Sequence, residues 1–248
     1  MNLINLNNAR QIAQEQCRNT DEESLVDSFV TVCLYLHDNP ESLSWRGNKP
    51  DLNSTEGIEE LARRYFKSYR RSDAPTLPKT VPDEMVSVIM NAFYGYSTEK
   101  CLDIKKEHQL SMIAENCVGN LLERYIDSKL RFSDWSWCCG EFVKAVDFIG
   151  KTNNGGWIAL QIKNRNNSEN SSSSAIREGT SIQKWFRSFS TDTASGRPSF
   201  TNWENLPPLM QGYGLSEEKF RNFVIEYLVN EKTNLKAVEA DSQKDLYR

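Results

Sequence analysis

Three side chains frame the chemistry that this sequence could perform. Asp147 falls within a run rich in β-formers, Glu141 to Ile149, and Gln161 and Lys163 follow fourteen and sixteen positions later in the short apolar run from Trp157 to Lys163. Between them stand Gly150-Lys151-Thr152-Asn153-Asn154-Gly155-Gly156, a turn by composition. Two strands joined by such a turn form a hairpin, and residues at i and i+2 of one strand share a face. A carboxylate and an amide oxygen gathered there suit Mg2+, which keeps several waters and accepts few protein ligands. Asp147 and Gln161 are the candidate ligands. Lys163 would orient and help deprotonate an attacking water, or stabilise charge building on a phosphate. A bound cation polarises a phosphoryl oxygen and lowers the pKa of its water. This is a kit for phosphodiester hydrolysis. The same spacing also occurs in hairpins that merely expose polar side chains, so the surrounding elements must carry the case.

Those elements read as follows. Residues 8–37 have a helical apolar pattern (Ile12, Cys17, Leu25, Phe29, Val32, Cys33, Leu36), with a break at Asn19-Thr20-Asp21. Acidic Asp21-Glu22-Glu23 suits the start of a second helix. Ile58, Leu61, Tyr65, Phe66 and Tyr69 form another helical stripe, and Pro75, Pro78 and Pro82 break the chain after it. Residues 83–95 read as a further helix. The clearest helix is 107–130, where Leu110, Ile113, Ala114, Cys117, Leu121, Leu122, Tyr125 and Ile126 repeat at helical spacing around Gly119. After the hairpin comes a stretch rich in Asn and Ser, then Ile182, Trp185, Phe186 and Phe189, whose spacing predicts a helix. An amphipathic helix with Ser216 as its cap covers 216–231. The expected organisation is a mainly helical part over 1–100 and a catalytic core over 101–248, or one continuous domain.

With these residues placed, the chain resembles a known superfamily. Asp147…Gln161-Ile162-Lys163 is similar to the PD-(D/E)xK nuclease motif, with Gln in place of the second acid and Val146 in place of the proline. Gly119-Asn120-Leu121-Leu122-Glu123 resembles the Gly-x-x-x-Glu helix that precedes the hairpin in that superfamily, over a region of about 107–190. More narrowly, Leu160-Gln161-Ile162-Lys163-Asn164-Arg165, the segment from Asn167 to Arg177, and Lys184-Trp185-Phe186-Arg187 are similar to type II restriction endonucleases of the SinI-like group, which cut double-stranded GGWCC sites. The resemblance implies an α/β fold (α+β by a stricter label), with a mixed central sheet flanked by helices. It implies Glu123 as a further acidic metal ligand or supporting group, with Glu141 as the alternative, compensating the missing charge of Gln161. It also implies Mg2+, double-stranded DNA as substrate, a homodimer, a cognate DNA methyltransferase in the same cell, and a prokaryotic cytoplasmic location. A repair or junction-cutting nuclease and a non-catalytic DNA-binding module on the same fold remain alternatives at this point.

DNA recognition has its own candidates. Arg suits guanine and Asn suits adenine, while Ser, Asn and backbone N–H groups bind phosphate oxygens. Asn164, Arg165, Asn167, Ser168, Asn170, Ser172, Arg177, Lys184 and Arg187 all follow the catalytic lysine. The net charge is −4, yet it is segregated: residues 1–60 hold 11 acids against 4 Lys/Arg, and residues 61–80 hold Arg63, Arg64, Lys67, Arg70, Arg71 and Lys79 against Asp73. Local potential steers a polyanion more than net charge does. Six cysteines without a Cys-x-x-Cys pair, and only His37 and His108, argue against a disulfide scaffold or a structural zinc site. No apolar run is long enough for a membrane span, and the N-terminus does not read as a secretory signal.

Overall fold

The computed structural model of the chain describes residues 6, 8–76, 81–152, 154–166 and 181–245, with side chains as far as residue 233. The helices are α1 (Ala9–Gln16), α2 (Thr20–Glu23), α3 (Leu25–Asp38), α4 (Thr55–Arg70), α5 (Glu84–Tyr94), α6 (Thr98–Leu130) and α7 (Glu217–Asp245). The strands are β1 (Trp135–Trp137), β2 (Phe148–Lys151), β3 (Trp157–Arg165), β4 (Gln183–Phe189) and β5 (Phe200–Thr201). The sequence suggests a division near residue 100. In space, residues 1–71 and 123–223 form one compact unit, and 72–122 with 224–248 form a second.

The first unit is built on a five-stranded sheet in the order β1-β2-β3-β4-β5. Every neighbouring pair is antiparallel except β3 and β4, which run parallel. Residues 159–162 of β3 are all buried, the pattern of a strand covered on both faces. The fold is mixed α/β, as the sequence implies. Helices α1, α3 and α4 supply an apolar layer around Phe29, whose ring lies 5.4 Å from Tyr65 and 6.3 Å from Phe66. Ring contact between Tyr35 and Trp157 at 5.3 Å ties α3 to β3. A second aromatic group, Trp185, Trp203, Tyr125 and Phe220, joins β4 to the ends of α6 and α7.

The helix ends follow local rules. Asn19 caps α2 by accepting from Glu22 N–H at 3.0 Å, and Ser54 caps α4 by accepting from Gly57 N–H at 3.0 Å. Ser216 accepts from Lys219 N–H at 3.3 Å at the start of α7.

Two expectations fail. Residues 183–189 form a strand, not a helix. Their apolar spacing fits a helix, but their backbone pairs with β3 from Leu160↔Gln183 to Arg165↔Ser188, and that ladder, together with Trp185 buried at 3% exposure, outweighs a short helical pattern. The β-rich run 141–149 also yields strand only from Phe148. Its first part pairs instead with residues 42–44, through Ser44 N–H to Phe142 O and Lys144 N–H to Ser42 O. Ala145, at φ 55°, then turns the chain into β2.

An ion pair locks α2 to α4. Arg70 donates to both oxygens of Glu22, at 2.8 and 2.6 Å, and also to Gln16 O. The Arg70 hydrogen bond, backed by that of Arg18 N–H, holds the Glu22 carboxyl below its ordinary range, against a burial penalty that works the other way. Removing one partner of such a pair leaves the other uncompensated. Arg70→Ala is expected to cost about 2–3 kcal/mol in urea unfolding at pH 7, the partial exposure of Arg70 keeping it at the low end of the range for buried pairs. Because the folded pKa of Glu22 is depressed, its contribution is present above the unfolded value and disappears as pH falls through the folded one. The gap between wild type and variant must therefore narrow below pH 4.5; a constant gap down to pH 3 would refute the pairing.

Candidate active site

Asp147 is held by its own backbone from two sides. Its N–H donates to Leu160 O at 2.9 Å and its carbonyl accepts from Cys138 N–H at 2.8 Å, so it continues β2 between β1 and β3. Its Oδ2 accepts from Ile162 N–H at 2.6 Å. Among the described residues no hydrogen bond is made to its other oxygen, which leaves that oxygen for another electropositive partner. Burial pushes the carboxyl up to about 6; the Ile162 N–H and the Lys163 ammonium pull the other way. That opposition shows that the Lys163 charge reaches the carboxylate.

Register decides what shares this place. Phe148 pairs with Leu160, so Asp147 stands opposite Gln161, and Lys163 follows two residues along, on the Gln161 face of β3. Gln161 is 4% exposed, and Lys163 is half-buried. In the parallel ladder Gln161 pairs with Lys184 and Lys163 with Phe186. Lys184 is exposed, with its ammonium 4.4 Å from the centre of the Phe186 ring. The three residues singled out by spacing are thus brought together, and Lys184 adds a second cation beside them.

Glu123 projects from α6 and accepts from the indole N–H of Trp137 at 3.1 Å. The charges of both Asp147 and Glu123 raise the pKa of the buried Cys138 thiol, after burial itself, so the two acids flank one buried residue. Glu141 is elsewhere: it pairs at the surface with Arg46 at 3.0 Å. Of the two candidates for the extra acid, only Glu123 has this proximity. A methyl group added at Gly119 would meet nothing within 4 Å, so packing inside the chain makes no demand for glycine there.

Trp137 and Cys138 were not legible as site residues. Trp137 orients Glu123, lies under the Arg124 guanidinium at 5.4 Å from its ring, and packs edge-on to Tyr69 at 6.3 Å. The only sequence signal is the Trp135-Ser136-Trp137 run just before the hairpin, and it reads as ordinary core.

The DNA-contact candidates divide. Arg165 is exposed at the end of β3. Arg187 is turned into the protein: its Nε donates to Asn164 Oδ1 at 2.8 Å and its terminal nitrogen to Glu217 at 2.6 Å, leaving the side chain 14% exposed. Asn164 and Arg187 therefore serve first as a clamp between β3, β4 and α7. Asn167, Ser168, Asn170, Ser172 and Arg177 lie outside the described residues. In the basic stretch after residue 60, Arg63 and Arg64 both bind Glu60, whose carboxyl they hold down at about 2, and Arg70 binds Glu22. Glu60 and Glu22 thus take up part of that positive charge.

Residues 9–230 match the family model described as SinI restriction endonuclease. The chain is 45% identical over 226 residues to the type II restriction enzyme Eco47I of Escherichia coli, covering 90% of this chain and 95% of that one. It is 44% identical over 225 residues to the type II restriction enzyme SinI of Salmonella infantis, covering 89% and 94%. This chain belongs to the SinI restriction endonuclease family. By that membership it is a type II restriction endonuclease, an enzyme of a restriction-modification system acting on DNA. The family match runs through both compact units, from α1 into α7. Among the described residues no helix is long and apolar enough to cross a membrane.

The buried carboxyl gives a pH signature in the protein without metal. A carboxyl raised from 3.8 to about 6 binds more protons folded than unfolded, so stability falls as pH rises between those values and levels off above. Asp147→Asn should abolish that fall and make the metal-free protein more stable at pH 7, by up to about 3 kcal/mol at 1.36 kcal/mol per unit. Urea unfolding in chelator at several pH values measures it; an Asn variant less stable than wild type at pH 7 would contradict the burial of an ionised Asp147.

Proposed function

We propose that the chain hydrolyses double-stranded DNA at GGWCC sites through a Mg2+-dependent PD-(D/E)xK-type centre made of Asp147, Gln161, Glu123 and Lys163. The observation that carries this reading is the register of β2 and β3, which sets Asp147 opposite Gln161 with the Lys163 charge acting on the carboxylate. The donor set is two carboxylates and one amide carbonyl, all oxygen, which suits a hard cation. Asp147, Gln161 and Glu123 would hold it. When bound, Mg2+ would supply Lewis-acid polarisation of the scissile phosphate and a more acidic water.

The protein's own parts follow from their positions. Asp147 offers the oxygen not engaged by Ile162 N–H. Gln161 offers a neutral carbonyl where relatives of the wider superfamily carry an acid, so Glu123, oriented by Trp137, becomes the second negative charge. Lys163 orients the water and stabilises the charge that grows on the phosphate as one P–O bond forms and another breaks. Lys184, one strand over, extends the positive face toward the DNA backbone. A near-palindromic site calls for a two-fold protein, hence a homodimer. A cell holding such an activity needs a methyltransferase that protects the same sites, and the reading has both working in the prokaryotic cytoplasm, where the DNA is.

The test is plasmid DNA with Mg2+, followed by sequencing of the cut ends. Discrete fragments ending at GGWCC are expected; fragments at another site would revise the specificity, and no cutting would overturn the reading. Asp147→Ala and Lys163→Ala should each abolish cleavage with the fold retained by circular dichroism, whereas Gln161→Glu should leave an active enzyme with altered metal dependence.

Arginines 165 and 187 separate reading from scaffolding. Arg165→Ala should leave thermal stability within about 0.5 kcal/mol, as for a surface position, yet weaken cognate over scrambled duplexes by about 1–3 kcal/mol if it reads a base. Arg187→Ala should instead destabilise the fold by about 2 kcal/mol, because Asn164 Oδ1 and one oxygen of Glu217 lose the guanidinium. Equal melting temperatures for the two variants would show that the Arg187 clamp is not structural.

A further inference from the structure

We infer that α5 and the start of α6 form the surface on which two copies of this chain associate. From Met85 to Tyr96, twelve successive residues carry no charge, and no residue of α5 is buried by the rest of the chain. Met85 and Ile89 are each 58% exposed, Phe93 79%, and Leu102 on α6 56%. Val86, Val88, Tyr94 and Tyr96 are exposed as well.

This is an ordered hairpin and not a loose end. Gly95, in the left-handed region at φ 68°, closes α5 with its N–H on Asn91 O at 3.1 Å, and Tyr96 N–H reaches Met90 O at 3.4 Å. The fully buried Cys101 points its thiol at Ser87 O, fastening α6 to α5. Phe93 meets Tyr94 edge-on with ring centres 4.9 Å apart, and Tyr94 stacks on Tyr96 at 5.7 Å. A helix that is apolar all round is normally buried. Aromatic side chains carry roughly 150–250 Å² each, so these three alone leave on the order of 350 Å² in water. With the aliphatic residues the exposed surface approaches about 800 Å², the share of one partner in a standard interface, and exceeds what monomers usually leave open.

The chemistry narrows the occupant. Nucleic acid needs cations, and none lie between Met85 and Tyr96, while Asp83 and Glu84 precede them. An 11-residue helix is too short to span a bilayer. The choice of a second copy rests on the endonuclease reading: each chain carries one set of Asp147, Gln161 and Lys163, and cutting both strands at a two-fold site takes two sets related by two-fold symmetry. An isologous contact through α5 provides that relation. It also acts on the helix that matters, because α6 runs on from this surface to Glu123.

Sedimentation of the full chain without DNA, from nanomolar to tens of micromolar, tests the surface. Wild type should sediment at twice the 28.5 kDa chain mass. Ile89→Asp and Phe93→Asp should each raise the dissociation constant of the dimer by roughly 30-fold or more, as loss of a hot spot does. Phe132→Asp, at a side chain 90% exposed but outside the surface, should not. Should either Asp variant fail to fold, Phe93→Ser serves the same measurement. A wild type monomeric throughout, or Asp variants that dimerise like wild type, would overturn the proposal. Plasmid cleavage is scored separately. A wild type that dimerises through this surface but cuts no DNA sinks the endonuclease reading and leaves the surface standing; a wild type that cuts both strands as a monomer does the reverse.

Discussion

Asp147 is pinned between two strands by its own backbone, and its side chain takes the N–H of Ile162 while burial resists its ionisation. Such a carboxylate is expensive to keep charged, and the expense is offset only where positive groups converge. The backbone hydrogen bond and Lys163 are the compensation inside the chain, and a divalent cation would complete it. The order β1-β2-β3-β4 matters because it delivers these groups at fixed distances that no flexible loop would hold. Loss of the β2–β3 register by one residue would turn Gln161 and Lys163 to the opposite face.

The helical layer makes that register possible. Residues 159–162 of β3 are buried, and α3 packs on β1 and reaches β3 through Tyr35 and Trp157, so the helical N-terminal part covers the sheet and is not a separate appendage. Charge is paired where it is buried: Arg70 on Glu22 joins α4 to α2, and Arg131 on Asp127 closes the end of α6. Part of the basic character of α4 is taken up within the chain, by Glu22 and Glu60. Among the described residues, Arg165 on β3 and Lys184 on β4 are exposed positive side chains of the sheet.

The second compact unit obeys a different economy. Its α5 has no core of its own to enter and no charge to keep it in water, which is a stable arrangement only when something covers it. A second copy of the chain, as inferred above, would supply that cover. Because α6 belongs to both units, the proposed interface at its beginning and the Glu123 carboxylate near its end lie on one continuous element.

Local chemistry in the sequence determined the helical N-terminus with its break at Asn19, the caps at Asn19, Ser54 and Ser216, and the apolar run of β3 with its alternate polar positions. It also carried the Asp147, Gln161 and Lys163 spacing and the family resemblance that the comparisons bear out. These features depend on neighbours a few residues away, which a periodic pattern records. What only the tertiary structure decided depends on partners far along the chain. Residues 183–189 became a strand because β3 offered a parallel ladder, overriding a helical spacing. Glu123 and not Glu141 came to share the surroundings of Cys138 with Asp147, because Trp137 holds the first and Arg46 takes the second. Arg187 was drawn inward by Asn164 and Glu217, for which no local pattern exists. Backbone ladders and charge pairs are chosen among competing distant partners, and that competition is resolved only when the chain has folded.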